Sequence, residues 1–307
     1  MPFGSCVNGF WVNGSDVDAC MVLRNCTTKQ ASLSKLTYTK ALVQREKLAR
    51  VTIINASVPI AKLWDENDVN VCDISVNNTT AIENSMLVGT FSRVDPRIRP
   101  LGRFIKHWAG ARQINNRAQG TLSTYTLILQ LFFYLQTRPI PILPLFQDIE
   151  KYPAVSGATG PLDENGVAVD KTTNADGQTE DDEWHDMCGW LRPAPFETDV
   201  KTIQRQLKQK YGSGNKETLG ELLYGFFRFF GSERFAGGEI GQTVTIYDGM
   251  VTENDLGVIV MQCPLTKKNV NPMKIQDWQL IYSEFKRAHD LLENPTSRTL
   301  ETICIGR

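Results

Sequence analysis

The sequence is poor in the residues that build zinc clusters and disulfide frameworks. It has three histidines and seven cysteines among 307 residues, and the cysteines are dispersed along the chain without a close pair. A structural zinc site needs closely spaced cysteine and histidine ligands, so we do not expect one. An odd, dispersed set of cysteines is typical of reduced thiols. We therefore predict an intracellular protein of the cytoplasm, with the mitochondrion and nucleus as open alternatives.

The sequence also lacks an apolar run that could span a bilayer. The longest run lies near residues 127–135 and stops before Pro139, whereas a membrane helix needs about 20 apolar residues. The opening residues have neither the basic flank nor the apolar run of a targeting segment. We predict that the chain has no membrane partner.

The sequence also has no large excess of positive or negative charge, since the formal net charge is −1. That value averages over residues 151–186, which hold two basic and nine acidic residues; the rest of the chain has 31 basic and 25 acidic residues, a net of +6. The acidic segment is rich in Gly, Thr, Asn and Asp and cannot bury enough apolar surface to stay ordered, so we predict a disordered insertion. The mildly basic remainder permits phosphate-rich ligands.

The hydrophobic periodicity changes near residue 92. Before it, short apolar or β-branched runs predict three strands and one surface helix, at residues 16–23, 58–63, 69–76 and 37–48. After it, the spacing predicts mainly helices, around residues 101–108 and at 121–136, 217–230 and 276–293, with strand-like stretches at 243–247 and 257–262. We predict an α+β fold with two domains, residues 1–92 and residues 93–307.

The opening of the chain carries the most informative chemical pattern. Asp16 and Asp18 alternate within an apolar run, and the strand period of two places both carboxylates on one face, about 7 Å apart. Gly4 and Ser5, about ten residues upstream, offer a close backbone approach, a hydroxyl and N–H groups to a phosphate. Asp73 lies in a second apolar run, as on a neighbouring strand. Three such carboxylates suit a two-cation phosphoryl-transfer site, although an isolated Asp-x-Asp is more often a solvated strand face.

These residues resemble the signature of a known family. Phe3-Gly4-Ser5, Asp16-Val17-Asp18 and Cys72-Asp73-Ile74 are similar to the motifs of the noncanonical poly(A) polymerases and terminal uridylyltransferases of the Cid1 type, within the DNA polymerase β-like nucleotidyltransferases. The resemblance continues through residues 72–85, 95–109, 113–125 and 219–233. It implies a mixed-sheet catalytic domain, a mostly helical central (PAP-associated) domain and a nucleotide cleft between them.

The resemblance also implies roles for individual residues. Asp16 and Asp18 would bind two Mg²⁺ ions, with Mn²⁺ as an alternative, and Asp73 would bind the catalytic ion and accept the proton of an RNA 3′-hydroxyl. The implied nucleotide-binding residues are Gly4, Ser5, Asn78, Asn84, Arg103, Lys106, Thr124 and Tyr125. Among these, Ser5, Lys106 and Thr124 would contact the triphosphate, Asn78 and Asn84 the ribose and base, and Tyr125 would stack on the base. The residues by themselves leave plainer interpretations open, namely helix capping for Thr124 and a solvated helix face for Lys106.

The sequence departs from the family pattern at three places. The second triphosphate-binding lysine is replaced by Gly110, and Arg103 is the substitute nearest to the face of Lys106, whereas Arg112 points to the opposite side. Residues 263–272 lack the acidic residues and the base-selecting histidine of uridylyltransferases. The chain also starts almost on the Gly-Ser motif, where relatives have a preceding strand and helices, so we expect an N-terminally truncated catalytic domain.

The function predicted from this resemblance is template-independent addition of nucleotides to RNA 3′ ends. The partners would be a nucleoside triphosphate, with UTP slightly favoured over ATP, and the 3′ end of an RNA. Three alternatives remain open at this point: a poly(A) polymerase that uses ATP, a catalytically inactive relative that binds RNA or a protein as a scaffold, and an enzyme that transfers nucleotides to a small molecule or protein.

Overall fold

A computed structural model describes residues 1–24, 26–151, 194–294 and 299–305. The described residues divide into two compact units. The first unit lies within Met1–Gly89 and Lys151–Thr198, and the second lies within Thr90–Glu150 and Asp199–Arg307. Apart from Lys151, the predicted acidic insertion lies outside the described residues.

The first unit is built on a mixed five-stranded sheet. Its elements in chain order are β1 (Pro2–Phe3), α1 (Ser5–Asn8), β2 (Val17–Met21), α2 (Lys29–Arg45), β3 (Arg50–Ile54), β4 (Ile60–Trp64), β5 (Asn70–Val76) and α3 (Thr79–Ser92), whose last residues belong to the second unit. The strand order is β1-β2-β5-β4-β3. Strands β2 and β5 are parallel, and the other neighbouring pairs are antiparallel.

Helix α2 covers one face of this sheet. Thr28 caps the helix, since its side chain accepts a hydrogen bond from the Ala31 N–H. Leu36 is fully buried and packs in one cluster with the strand residues Val51, Ala61 and Val76. The residues of β5 that alternate with this cluster point to the opposite face of the sheet, where the acidic side chains lie.

The second unit is mostly helical and carries a small three-stranded sheet. Its elements are α4 (Ile98–Ala111), α5 (Thr124–Gln136), α6 (Val200–Tyr211), α7 (Leu219–Phe230), β6 (Gly241–Thr245), β7 (Val251–Asn254), β8 (Ile259–Gln262), α8 (Ile275–Glu293) and α9 (Leu300–Cys304). Strand β6 lies between β7, to which it is antiparallel, and β8, to which it is parallel.

Aromatic packing forms the centre of the second unit. The indole ring of Trp108 on α4 meets Phe227 of α7 and Phe285 of α8 edge to face, at centroid distances of 4.7 Å and 5.0 Å. A buried ion pair joins α4 to α8 nearby, because Arg112 Nε lies 2.7 Å from Glu284 Oε2. Arg112 also donates to the carbonyl of Ile305, so it is a structural residue of this unit.

The α+β class predicted from the sequence is confirmed. Several elements differ from the prediction, most of them where tertiary contacts compensate for a weak local pattern. Strands β3 and β7 and helices α3 and α6 were not predicted as separate elements, and α2 begins eight residues earlier than predicted because Thr28 caps it. Across the described residues, no helix is both long and apolar enough to cross a membrane.

Candidate functional site

Strand register brings the acidic residues of the first unit into one row. Asp18 on β2 pairs directly with Asp73 on β5, and Asp73 pairs in turn with Lys62 on β4. Residues opposite one another in a sheet project from the same face. Asp16 precedes β2 by one residue and shares the face of Asp18 through the strand period of two. All three carboxylates therefore lie on the face of the sheet opposite α2.

A β-bulge adds Asn70 to this row. The regular pairing of β4 with β5 is interrupted between Leu63 and Trp64. One residue of β5 is skipped there, and Trp64 pairs with Asn70. The shift turns the Asn70 side chain to the face of Asp73. Its Nδ2 atom donates to Asp73 Oδ1 and to Asp16 Oδ2, each at 2.9 Å. One amide group thus holds two of the carboxylates together.

Gly4 lies against the third carboxylate. Its backbone has φ 70° and ψ −152°, a conformation that residues with a Cβ atom rarely adopt. A Cβ atom added to Gly4 would overlap the Asp18 Oδ2 atom. The Gly4 N–H donates to Ser85 Oγ of α3 at 2.8 Å, and Ser85 donates to the Ala81 carbonyl. A side chain at this position would therefore meet both backbone strain and the Asp18 carboxylate. Ser5 follows Gly4 as the first residue of α1.

The charges at this site are partly compensated within the chain. Lys62 Nζ lies 2.6 Å from Asp73 Oδ2, and the two side chains are 27% and 15% exposed. Burial raises the pKa of the neighbouring Cys72 thiol, and the negative charges of Asp73, Asp18 and Asp16 raise it further. The thiol consequently stays neutral near pH 7.

The oxygen donors of this site fit a divalent cation. Hard cations such as Mg²⁺ bind carboxylate and carbonyl oxygens, and the site offers three carboxylates beside a buried Asn70 Oδ1 atom that has no hydrogen-bond partner within the described residues. In the part of the chain that the structure describes, no three acidic, cysteine or histidine side chains lie close enough together to form a preassembled metal site. Lys62 and Asn70 instead occupy the oxygens of Asp73.

Two further residues assigned from the sequence lie near this sheet. Asn78 precedes α3, and its backbone N–H donates to the buried Cys20 Sγ at 3.1 Å. Asn84 lies on α3, next in sequence to Ser85, and is half-buried. Residue 77 makes the turn that leads into this helix: the Asn77 side chain bonds the Leu23 backbone, and its own φ is +49°.

The N-terminus of α5 organises the candidate residues of the second unit. Ser123 caps the helix by accepting from the Thr126 N–H, and the Thr124 hydroxyl interacts with the Asn115 amide. The half-buried Tyr125 places its hydroxyl 3.7 Å from Cys263 Sγ. Burial, together with the thiol, raises the Tyr125 pKa well above its usual value, so the phenol stays neutral at physiological pH.

Asn271 links this helix start to the segment after β8. The residue is 1% exposed, and its Oδ1 atom accepts from the Ser123 N–H and from the Thr126 hydroxyl, at 2.8 Å and 3.1 Å. Asn271 Nδ2 donates to the Thr121 carbonyl. The segment that contains Cys263 is therefore fixed against α5 by one buried amide.

The basic candidates lie on α4. Arg103 is exposed, Lys106 is half-buried, and Gly110 is exposed with open space where a Cβ atom would be. Arg112 is engaged by Glu284 as described above.

Four polar residues of these sites were not predicted from the sequence, namely Lys62, Asn70, Ser85 and Asn271. Lys62 had one usable signal, since it is a lone charge inside an apolar run that was itself predicted to be a strand. The other three are ordinary polar residues in sequence. Their roles depend on partners 54, 81 and 148 residues away.

Comparison with known protein families gives consistent results. A family model described as the central palm domain of mitochondrial-like poly(A) RNA polymerase matches residues 1–93. Poly(A) RNA polymerase GLD2-B of Xenopus laevis is 40% identical over 234 residues, which cover 75% of this chain and 38% of that protein. Poly(A) RNA polymerase cid11 of Schizosaccharomyces pombe is 29% identical over 316 residues, covering 98% of this chain and 55% of that protein. The chain spans less than two thirds of the length of these relatives.

Solved structures with the same fold include a Cid1 poly(U) polymerase with bound Mg 3′-dATP and an mtPAP in complex with UTP. The first has a TM-score of 0.70 at 23% identity, and the match covers all of this chain and 85% of the Cid1 chain. The second has a TM-score of 0.74 at 21% identity, with coverages of 100% and 64%. At these identities the structural matches show a shared fold. The family model and the sequence relatives confirm the predicted resemblance to the noncanonical poly(A) polymerases and terminal uridylyltransferases.

Proposed function

We propose that this chain catalyses template-independent addition of nucleotides to the 3′ end of RNA. The observation that carries the proposal is the convergence of acidic residues in the first unit. Asp18 lies opposite Asp73 in the parallel pair of strands, and one Asn70 amide contacts both Asp16 and Asp73. Carboxylates with the same sign of charge are held together in this way chiefly where cations are handled.

In this proposal, Asp16, Asp18 and Asp73 hold two Mg²⁺ ions. When bound, the ions supply charge stabilisation to the attacking and leaving oxygens of phosphoryl transfer. Asp73 accepts the proton of the RNA 3′-hydroxyl, which then attacks the α-phosphorus of the nucleoside triphosphate and releases pyrophosphate. Gly4 leaves room for the Asp18 carboxylate, because a Cβ atom on residue 4 would occupy the place of Asp18 Oδ2.

The residues proposed for nucleotide recognition are those that the family resemblance implies. Ser5 would contact the triphosphate, and Asn78 and Asn84 would contact the ribose and base. Arg103 and Lys106 would contribute positive charge to the triphosphate, and Thr124 would contribute a hydroxyl. The ring of Tyr125 stacks on the base, an interaction that tolerates every base because each has a π-face.

The base that is added is the open part of the proposal. The fold shared with Cid1 keeps UTP as the first candidate, as proposed from the sequence. ATP is the second candidate, and the observation that favours it is the 40% identity with a relative named as a poly(A) RNA polymerase. Cys263 lies beside Tyr125 at a position where uridylyltransferases have an acidic residue, which also weakens the case for UTP.

A primer-extension assay tests the proposal. An RNA oligonucleotide with a free 3′-hydroxyl and no label at its 3′ end is incubated with the full chain and Mg²⁺. Each of the four nucleoside triphosphates is added in a separate reaction. We expect extension by UTP or ATP that is abolished by Asp73→Asn. The matched control is Asp68→Asn, because Asp68 is an exposed carboxylate of the same unit, and its φ of +59° suits asparagine.

Two results would refute the proposal. If the wild-type chain extends no RNA with any triphosphate, the inactive scaffold becomes the better explanation. If Asp73→Asn extends RNA as fast as Asp68→Asn does, the acidic row is not the catalytic site.

We also propose that the protein resides in a reducing intracellular compartment, the cytoplasm first. The support is that all six described cysteines are free thiols.

A further inference from the structure

Both oxygens of Asp73 are hydrogen-bonded to groups that present positive charge. Oδ2 accepts from Lys62 Nζ at 2.6 Å, and Oδ1 accepts from Asn70 Nδ2 at 2.9 Å. The Lys62 bond follows from the strand register, since Lys62 and Asp73 are a directly opposed pair of β4 and β5. A pair fixed by a sheet ladder recurs in every folded molecule, unlike an ion pair between flexible surface side chains.

The neighbourhood of this ion pair is strongly negative. Asp16 shares the Asn70 amide with Asp73, and Asp18 lies opposite Asp73 on the next strand. Like charges held this close repel one another. Lys62 brings a full positive charge into the row, and only about a quarter of its side chain is exposed, so the attraction is less screened by water than at the surface.

Asn70 compensates these carboxylates by hydrogen bonds from its neutral amide, at an energetic cost to the chain. Its amide directs Nδ2 at two of them, and this leaves its own Oδ1 atom buried without a partner in the described part of the chain. An unsatisfied buried acceptor destabilises the folded chain. The arrangement is explained if compensating the carboxylates is worth more than that cost.

We propose that Lys62 is a built-in counter-ion of Asp73. It remains paired with Asp73 until a divalent cation binds, and it thereby weakens cation binding. The inference rests on the proposed function, which makes Asp73 a cation ligand. Lys62 stabilises the metal-free chain by compensating the acidic row. It opposes the bound state, because its ammonium group remains close to the incoming charge. Lys62 is thus a positioning residue for Asp73, and it raises the cation concentration at which the site becomes occupied.

The size of the effect follows from the charges. A single positive charge about 5 Å from a divalent cation, in a medium as polar as water, weakens cation binding by about tenfold, and the partial burial of Lys62 increases this factor. Removing the charge while keeping the length of the side chain should therefore tighten cation binding by about tenfold or more. The same change should lower the stability of the metal-free chain.

The test compares Lys62→Met with Lys62→Arg and with Lys35→Met in the full chain. Arginine keeps the charge, and Lys35 is an exposed lysine of α2 in the same unit. Thermal unfolding is measured in EDTA and in saturating Mg²⁺, and binding of Mn²⁺ is measured by electron paramagnetic resonance. We expect Lys62→Met to melt below the wild type in EDTA, to gain more from Mg²⁺, and to bind Mn²⁺ about tenfold more tightly. Lys62→Arg and Lys35→Met should bind Mn²⁺ like the wild type.

Two outcomes overturn the inference. One is Mn²⁺ affinity of Lys62→Met equal to that of Lys35→Met. The other is a Lys62→Met chain that stays unfolded even in saturating Mg²⁺, since a cation should replace the lost charge. These measurements need no turnover, so wild-type extension activity with unchanged Mn²⁺ affinity in Lys62→Met rejects the counter-ion role alone. Tighter Mn²⁺ binding in a chain that extends no RNA rejects the proposed function alone.

Discussion

Replacing Gly4 with alanine should separate activity from stability. The Gly4 backbone, at φ 70° and ψ −152°, lies in a region that costs a residue with a side chain about 1–3 kcal/mol. The new Cβ atom would also overlap Asp18 Oδ2, so the carboxylate must move by about 1 Å or the loop must shift. A displacement of this size at a reacting centre costs about 100-fold in rate. We therefore expect kcat of Gly4→Ala to fall by about two orders of magnitude.

Gly14→Ala is the matched control for this experiment. Gly14 has φ +80°, but its Cβ position has nothing within 4 Å, so alanine meets backbone strain there without a collision. The assay is extension of RNA at saturating triphosphate, together with urea unfolding of both variants. Both should lose stability, Gly4→Ala at least as much as Gly14→Ala, and only Gly4→Ala should lose most of its kcat. Equal kcat in the two variants would refute the view that Gly4 exists to make room for Asp18.

Two further substitutions test residues of the second unit. Gly110→Lys should lower KM for the triphosphate severalfold and leave kcat nearly unchanged, because the added side chain has open space and lies one turn beyond Lys106; an unchanged KM in steady-state kinetics would contradict this placement. Burial acts to raise the pKa of Asp95, but the hydrogen bonds and charge of Arg97 outweigh it, and the net pKa lies below its usual value. The stability from this pair is present above the unfolded pKa of about 3.9 and is lost as pH falls through the lower folded value. Urea unfolding between about pH 6 and 2 should show a steeper loss below about pH 4 in the wild type than in Asp95→Asn, and parallel curves would contradict the role of the pair.

Local sequence carried much of the information about the acidic row. The alternation of Asp16 and Asp18 within an apolar run fixes their common face through the strand period alone, and the apolar flanks of Asp73 predict another strand. The buried apolar helix α5 was also readable, although it begins three residues later than predicted and is capped by Ser123. These features depend on neighbours in sequence, and such neighbours are visible in a single chain.

Weak local patterns account for the elements that were missed. Strand β3 has only five residues and is held by pairing with β4 along its whole length. Helix α3 mixes polar and apolar residues without a clear stripe, and its role depends on a distant contact, because Ser85 accepts from the Gly4 N–H. Propensity within a short window cannot report such contacts, because they join residues that are far apart in the chain.

The sequence by itself determined which side chains carry the acidic chemistry, since residue identity and a period of two settle the face on which Asp16 and Asp18 lie. The tertiary structure alone decided what compensates them. Counting along β5 puts Asn70 on the opposite face from Asp73, and the bulge opposite Trp64 reverses that assignment. The register of β4 likewise places Lys62 on Asp73. Register and bulges arise from pairing between distant segments, which is why no local pattern contains them.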